Sequence, residues 1–304
     1  MNWKLRPAYL ATVVAAVISI AACGGTTTTQ PASKGTLTIA GFGFSEGSVL
    51  AELYGQALAH AGFTVNYKLN LGNREIVGPA IKTGQIDLYI GYAATDLEYY
   101  NQGAGEASGD VTATVAKLNS RLQPLGLQAL TPSSAQDQNA FAMTKANSTK
   151  YNATKLSDLA PIGNQLILGG PSECQTRPFC AVGLEKTYGI KFKELKKLDA
   201  GGPLTRAALK DGSIQVGLVF TSSAFIGPDG LVVLQDDKHL QNADNVVPII
   251  RTTKASADAT KVLNAVSTGL TSADLVALNA KVELDHQDPD VATKAYLQAH
   301  NYFS

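Results

Sequence analysis

Strands and helices alternate from residue 35 to about residue 254, and this alternation narrows the fold more than any other feature. GTLTIAGF (35–42) reads as a strand. EGSVLAELYGQALAHAG (46–62) places Leu50, Leu53, Ala57 and Ala61 on one helical face, with Val49 beside them, before Gly62 stops it. FTVNYKL (63–69) alternates as a second strand, and NREIVGPAIKTGQ makes a short helix. It leads into a third strand in GQIDLYIGYAATDLEYY (84–100), where Ile86, Leu88 and Ile90 lie on a run bounded by Gly84 and Gly91. The order β-α-β-α-β implies right-handed crossovers and a largely parallel sheet. In such sheets small molecules bind at the carboxyl ends of the strands. Tyr92 and Thr95 fall at that edge.

A second α/β unit begins after the polar cluster LTPSSAQDQN. AFAMTK (140–145), QLILGG, KFKELKKLD, IQVGLVF (214–220) and LVVLQDD (231–237) read as strands, with helices expected in KLSDLAPI, AVGLEKTYGI and PLTRAALKDG. VVPIIRTTK follows, and from 255 onward three segments carry an apolar period near 3.6 and form a helical return. About 270 residues after the N-terminal segment exceed one typical core, so two lobes are expected. The expectation is an α/β, two-lobed fold in which residues 36–140 and 250–304 form lobe 1 and residues 141–249 form an inserted lobe 2. A crevice between lobes is a common ligand site.

The first 22 residues follow the plan of a secretory signal, with Lys4 and Arg6 before an apolar run that ends in small residues. The run falls short of the about 20 apolar residues a membrane span needs. IAAC, ending at Cys23, resembles a bacterial lipobox, which implies cleavage before Cys23 and lipidation of its thiol; an ordinary signal peptide with an incidental cysteine is the alternative. Small polar residues to 35 complete a flexible tether. Lys+Arg number 25 against Asp+Glu 25, with no basic stripe, which argues against a nucleic-acid partner.

The other two cysteines, Cys174 and Cys180 in PSECQTRPFCAVG, suit a disulfide-closed loop in an exported chain. Zinc is the alternative, but two thiols without a neighbouring histidine or second cysteine pair leave its ligand set incomplete. No metal site and no cofactor are expected. His60, His239, His286 and His300 are scattered without metal spacing, and no G-x-S-x-G, H-E-x-x-H or phosphate-loop motif occurs, so an enzyme is the weaker reading beside a receptor.

The stretch from GFGFSEGSVL to QIDLYIGY, together with LEKTYGIKFKELKKLDAGGPLTRAALKDGSIQVGLVF and LVVLQDDKHL, closely resembles substrate-binding proteins of ABC importers for glycine betaine, choline and related osmoprotectants. Beside the lipid anchor outside the bacterial cell membrane that the lipobox implies, the resemblance implies a venus-flytrap fold of the type II periplasmic-binding-protein kind, without catalysis. It also implies a monomer whose partners are a small solute and a membrane permease. Family members enclose a quaternary ammonium with tyrosines, whose ring faces hold a cation that cannot donate hydrogen bonds. Carried over position by position, the first cage tyrosine matches Tyr92, its hydroxyl neighbour Thr95, and the guanidinium that receives a ligand carboxylate Arg177. The other cage positions fall on Asn139, Phe220 and Asp244, and a lysine often found near the first strand falls on Phe42. With one tyrosine of four retained, weak betaine binding is expected, and a polyhydroxylated or aromatic solute stacked on Tyr92 and Phe220 is the alternative ligand. Thr221, a polar group near a lobe junction, and Ser45, which stands where it can cap the first helix, complete the candidate set.

Overall fold

A computed structural model of the chain describes residues 33–303. Signal, lipid and tether expectations for residues 1–32 therefore lie outside the described residues. The first half runs β1 (Thr36–Ala40), α1 (Ser45–His60), β2 (Thr64–Lys68), α2 (Arg74–Lys82), β3 (Leu88–Tyr92), α3 (Ala93–Tyr100), α4 (Val111–Leu122) and β4 (Leu127–Ala129). Then follow β5 (Asn139–Thr144), α5 (Lys145–Tyr151), β6 (Ile167–Gly170), α6 (Ala181–Gly183), β7 (Glu194–Lys197), α7 (Pro203–Lys210), β8 (Val216–Phe220) and β9 (Leu231–Val233). The chain ends through β10 (Val246–Arg251), α8 (Ala257–Gly269), α9 (Ser272–Glu283) and α10 (Pro289–Ala299).

Two five-stranded sheets result, ordered β2-β1-β3-β10-β4 and β7-β6-β8-β5-β9. The architecture is α/β, and the parallel pairs expected from the crossovers are present between β1 and both β2 and β3, and between β6 and both β7 and β8. The sheets are mixed rather than largely parallel: β10 runs antiparallel to β3 and β4, and β5 antiparallel to β8 and β9. Each inverted strand is the first one laid down after the chain crosses from the other sheet, so it enters without a helical crossover to restore its direction. The two crossing segments pair with each other. Val246 N–H donates to Ala135, Ser133 N–H to Val246 and Asp137 N–H to Asp244.

Burial explains the local choices. Every residue of β3 is buried, because β1 and β10 flank it and helices cover the sheet, so its run LYIGY needs no polar alternation. Leu37, Ile39, Leu50, Leu53, Leu88 and Ile249 meet in the first core, onto which α8, α9 and α10 pack through α1. Phe141, Met143, Leu168, Leu184 and Val216 form the second. Start signals hold where side chains supply them: Asp110 accepts from the N–H groups of Thr112 and Ala113 at α4, and Thr271 with Asp274 closes a capping box at α9. The helix expected in KLSDLAPI is only a 3-10 turn, Leu156–Leu159, and the one in AVGLEKTYGI is α6 followed by a π-helical turn, Leu184–Tyr188. Among the described residues, no helix is long and apolar enough to cross a membrane.

Candidate functional site

The carboxyl ends of β1, β3 and β8, the start of α2 and the loop before α6 enclose a cavity of about 230 Å³. Its wall is aromatic. Phe42 and Phe44 follow β1 and Tyr92 ends β3, and their three rings lie within 9°, 23° and 26° of parallel with centroids 5.9–6.4 Å apart. Phe220, the last residue of β8 in the other sheet, brings a fourth ring to 5.3 Å from Phe44. The guanidinium of Arg74 lies 4.9 Å from the Phe42 ring centre, within cation–π range.

Buried charge holds this wall in place. Arg74 Nε donates to Asp96 at 2.6 Å, with both side chains almost fully buried. Asp96 also accepts from the Tyr89 hydroxyl at 2.9 Å and from the Tyr92 N–H at 2.8 Å, which fixes the backbone from which the Tyr92 ring projects. The Tyr92 hydroxyl donates to Glu46 at 2.6 Å, and the Asn279 amide donates to the other Glu46 oxygen at 2.6 Å. Burial, then the neighbouring Glu46, push the Tyr92 hydroxyl well above its usual range, so it stays a donor.

The acidic groups have unequal settings. Asp244 accepts from the N–H and the hydroxyl of Thr95 at 2.7 and 2.5 Å, yet burial outweighs these bonds and pushes its carboxyl up to about 6. Burial, then the nearby Glu46, raise Asp137 well above the carboxylate range, and burial raises Glu46 as well. In all, two guanidiniums and four carboxyl groups line the cavity.

Of the residues expected at the site, Tyr92, Thr95, Asn139, Arg177, Phe220 and Asp244 come together on this cavity, with Cys174 and Cys180 in its wall. Asn139 faces Phe220 across the β5–β8 pair and donates to the Phe179 carbonyl at 3.1 Å. Arg177 is already engaged: its Nη2 and Nε donate to Glu75 at 2.8 and 3.3 Å. Cys174 and Cys180 form the expected disulfide, with Cα atoms 5.1 Å apart, and Arg177 sits midway along the loop it closes. Ser45 and Thr221 stand outside the cavity lining. The Ser45 hydroxyl donates to Glu283 in an adjoining recess instead of capping α1, because Phe44 is the residue at the cap. The Thr221 hydroxyl donates to Asp137 and accepts from the Gln138 N–H. Reading the sequence missed Phe44, Arg74 and Asp137 as lining residues. The first two follow strands of the same parallel set as Tyr92, so the strand-end rule that singled out Tyr92 also reaches them. Among the described residues no three His, Cys, Asp or Glu side chains gather to hold a metal.

Two mixed sheets linked by paired crossing segments, with a ring-walled cavity drawing residues from both, define a solute receptor of the two-lobed binding-protein class. Residues 35–299 match the family described as the substrate binding domain of the ABC-type glycine betaine transport system, and the chain belongs to that family. Its members are extracytoplasmic solute-binding subunits of ABC importers, not enzymes. Among similar proteins, the glycine-betaine-binding protein of Pseudomonas aeruginosa is 26% identical over 293 residues, covering 92% of this chain and 93% of that one. The glycine betaine-binding protein YehZ of Escherichia coli is 25% identical over 268 residues, covering 84% and 87%. A crystal structure titled glycine betaine/carnitine/choline ABC transporter superposes with a TM-score of 0.68 at 21% identity, covering 88% of this chain and 100% of that one, and so shares the fold.

Proposed function

We propose that this receptor captures an organic cation of the quaternary-ammonium kind and presents it to the permease of an ABC importer. The observation that carries the reading is the meeting of four rings, Phe42, Phe44, Tyr92 and Phe220, at a cavity where carboxyl groups outnumber guanidiniums. A ring face attracts a cation by roughly 0.5–2 kcal/mol, Phe42 sharing that attraction with Arg74, and surplus carboxylate adds to it. Phenylalanine rings at positions 42, 44 and 220 therefore do much of what the missing cage tyrosines do in the family pattern. A cavity of about 230 Å³ lies below the ~300–1,000 Å³ of drug-sized ligands, which favours a compact solute.

A flat aromatic or polyhydroxylated solute is the second reading, favoured by the near-parallel set of Phe42, Phe44 and Tyr92, against which a planar ring stacks. Calorimetry of the purified protein against choline, glycine betaine, a phenol and a polyol separates the two. Stoichiometric binding of an ammonium compound, weakened by Tyr92→Ala, supports the first. Binding confined to the phenol or polyol supports the second. Thr95 and Asn139 are assigned to orienting the solute, and Asp244 to charge complementarity. We further assign the protein a lipid on Cys23 and a monomeric state; the membrane fraction and light scattering test these assignments.

A further inference from the structure

We propose that Glu75 occupies the seat of a ligand carboxylate, so that the cavity selects a cation that carries no carboxylate of its own. The inference rests on the organic-cation reading above and narrows it. A guanidinium fork holds a carboxylate by two parallel hydrogen bonds, which makes a cavity-lining arginine the natural receiver of a zwitterion's acid group. Arg177 is such an arginine, held over the cavity by the disulfide-closed loop. The Nε/Nη2 edge of its fork is filled by an internal partner. Nη2 meets Glu75 Oε2 at 2.8 Å and Nε meets Oε1 at 3.3 Å, while Glu173 lies 3.8 Å from Nη2 on the loop side.

Glu75 reaches this position from the first turn of α2, in the half of the molecule opposite the loop. Burial alone pushes its carboxyl up, but the hydrogen bonds and charge of Arg177 outweigh burial and hold it below the usual carboxylate range. The seat is therefore filled by a charged group at neutral pH. Arg74, the other guanidinium on the cavity, gives its Nε and Nη2 to Asp96. A carboxylate that takes the Nε/Nη2 edge must displace Glu75 and then share the cleft with the displaced charge, near Asp244. Choline meets none of these obstacles.

The test is calorimetric titration of choline and glycine betaine into the wild-type protein, Glu75→Ala, and Glu75→Ala with Arg177→Met. Glu75 is 44% exposed in its side chain, so its removal leaves the core untouched. Wild type is expected to favour choline over betaine by about tenfold or more, the scale of a charge-assisted hydrogen bond. Glu75→Ala is expected to lower that preference about tenfold by freeing Arg177 for the betaine carboxylate, and Arg177→Met in that background to restore it. A wild-type preference for betaine, or a ratio that Glu75→Ala leaves within about twofold, overturns the proposal while choline binding upholds the cation reading. Failure of both compounds to bind overturns the cation reading and the proposal with it.

Discussion

Asp244 shows how one buried residue links capture to pH. Its carboxyl is pushed up to about 6 because burial outweighs the two bonds from Thr95. A folded-state value above the ordinary 3.8 means that folding favours the protonated form. That contribution is complete below the ordinary value and is lost as pH rises through 6, a change of about 3 kcal/mol. A bound cation has the opposite preference and favours the charged form. Affinity for choline, whose own charge does not titrate, is therefore expected to rise between pH 5 and 7.5, and Asp244→Asn to flatten that rise in titrations run at each pH. Arg74 sets the other residue-level expectation. Arg74→Met leaves the buried Asp96 without its cation and should cost about 3–5 kcal/mol, read as a lower urea midpoint. Adding Asp96→Asn should recover part of the loss, since the stranded charge, more than the missing contact, is what destabilises. The strand-end rule reaches the position of Arg74, but nothing in NREIV indicates that Asp96, 22 residues on, turns back to meet it.

At the scale of elements, the site depends on how closely α1 approaches the turn after β1. A Cβ on Gly47 would lie 2.7 Å from both the N and the O of Phe42, so only glycine lets the helix sit there. Gly47→Ala should destabilise by about 1–3 kcal/mol, the range for overpacking, and weaken choline binding by moving the Phe42 ring. Melting and titration of one preparation check both effects. The disulfide loop is the second element. Replacing Cys174 and Cys180 by serine should cost about 2 kcal/mol in stability by loop entropy, and should also lower affinity, because both cysteines stand in the cavity wall; denaturation and calorimetry of the double mutant measure the two. The three strands whose ends edge the cavity were legible from their apolar patterns, and the loop from its two cysteines. α3 was not: its cap residue, Tyr92, makes no side-chain cap bond, so the sequence AATDLEYY carries no start signal. α4 does carry one in Asp110, which is only decisive once the bonds to Thr112 and Ala113 are seen.

The whole molecule joins two sheets through segments that bond to each other, and the cleft draws its residues from both sides. Such a receptor delivers its solute only where a permease waits, so its position at the membrane matters as much as its affinity. If Cys23 carries lipid, Cys23→Ala should move the processed protein from the membrane fraction to the soluble one, because the remaining apolar run is cleaved or weakly held. Retention of the processed variant on the membrane would contradict the assignment.

What the sequence determined by itself was set by local periodicity and by short-range chemistry. Alternation along TLTIA, the apolar run LYIGY bounded by glycines and the helical spacing in SEGSVLAELYGQALAH specified strands and helix, and the order of elements specified an α/β chain. Tyr92, Thr95 and Phe220 were reachable by the rule that ligands sit at strand ends. Strand direction after each crossing, the meeting of Phe42 and Phe44 with Phe220, and the partners of Arg177 were decided only in three dimensions. The reason is range. Periodicity reports which face of an element is buried, whereas a guanidinium chooses its carboxylate across 102 residues of chain, and only the packing of α2 against the disulfide loop brings Glu75 within 2.8 Å of Arg177.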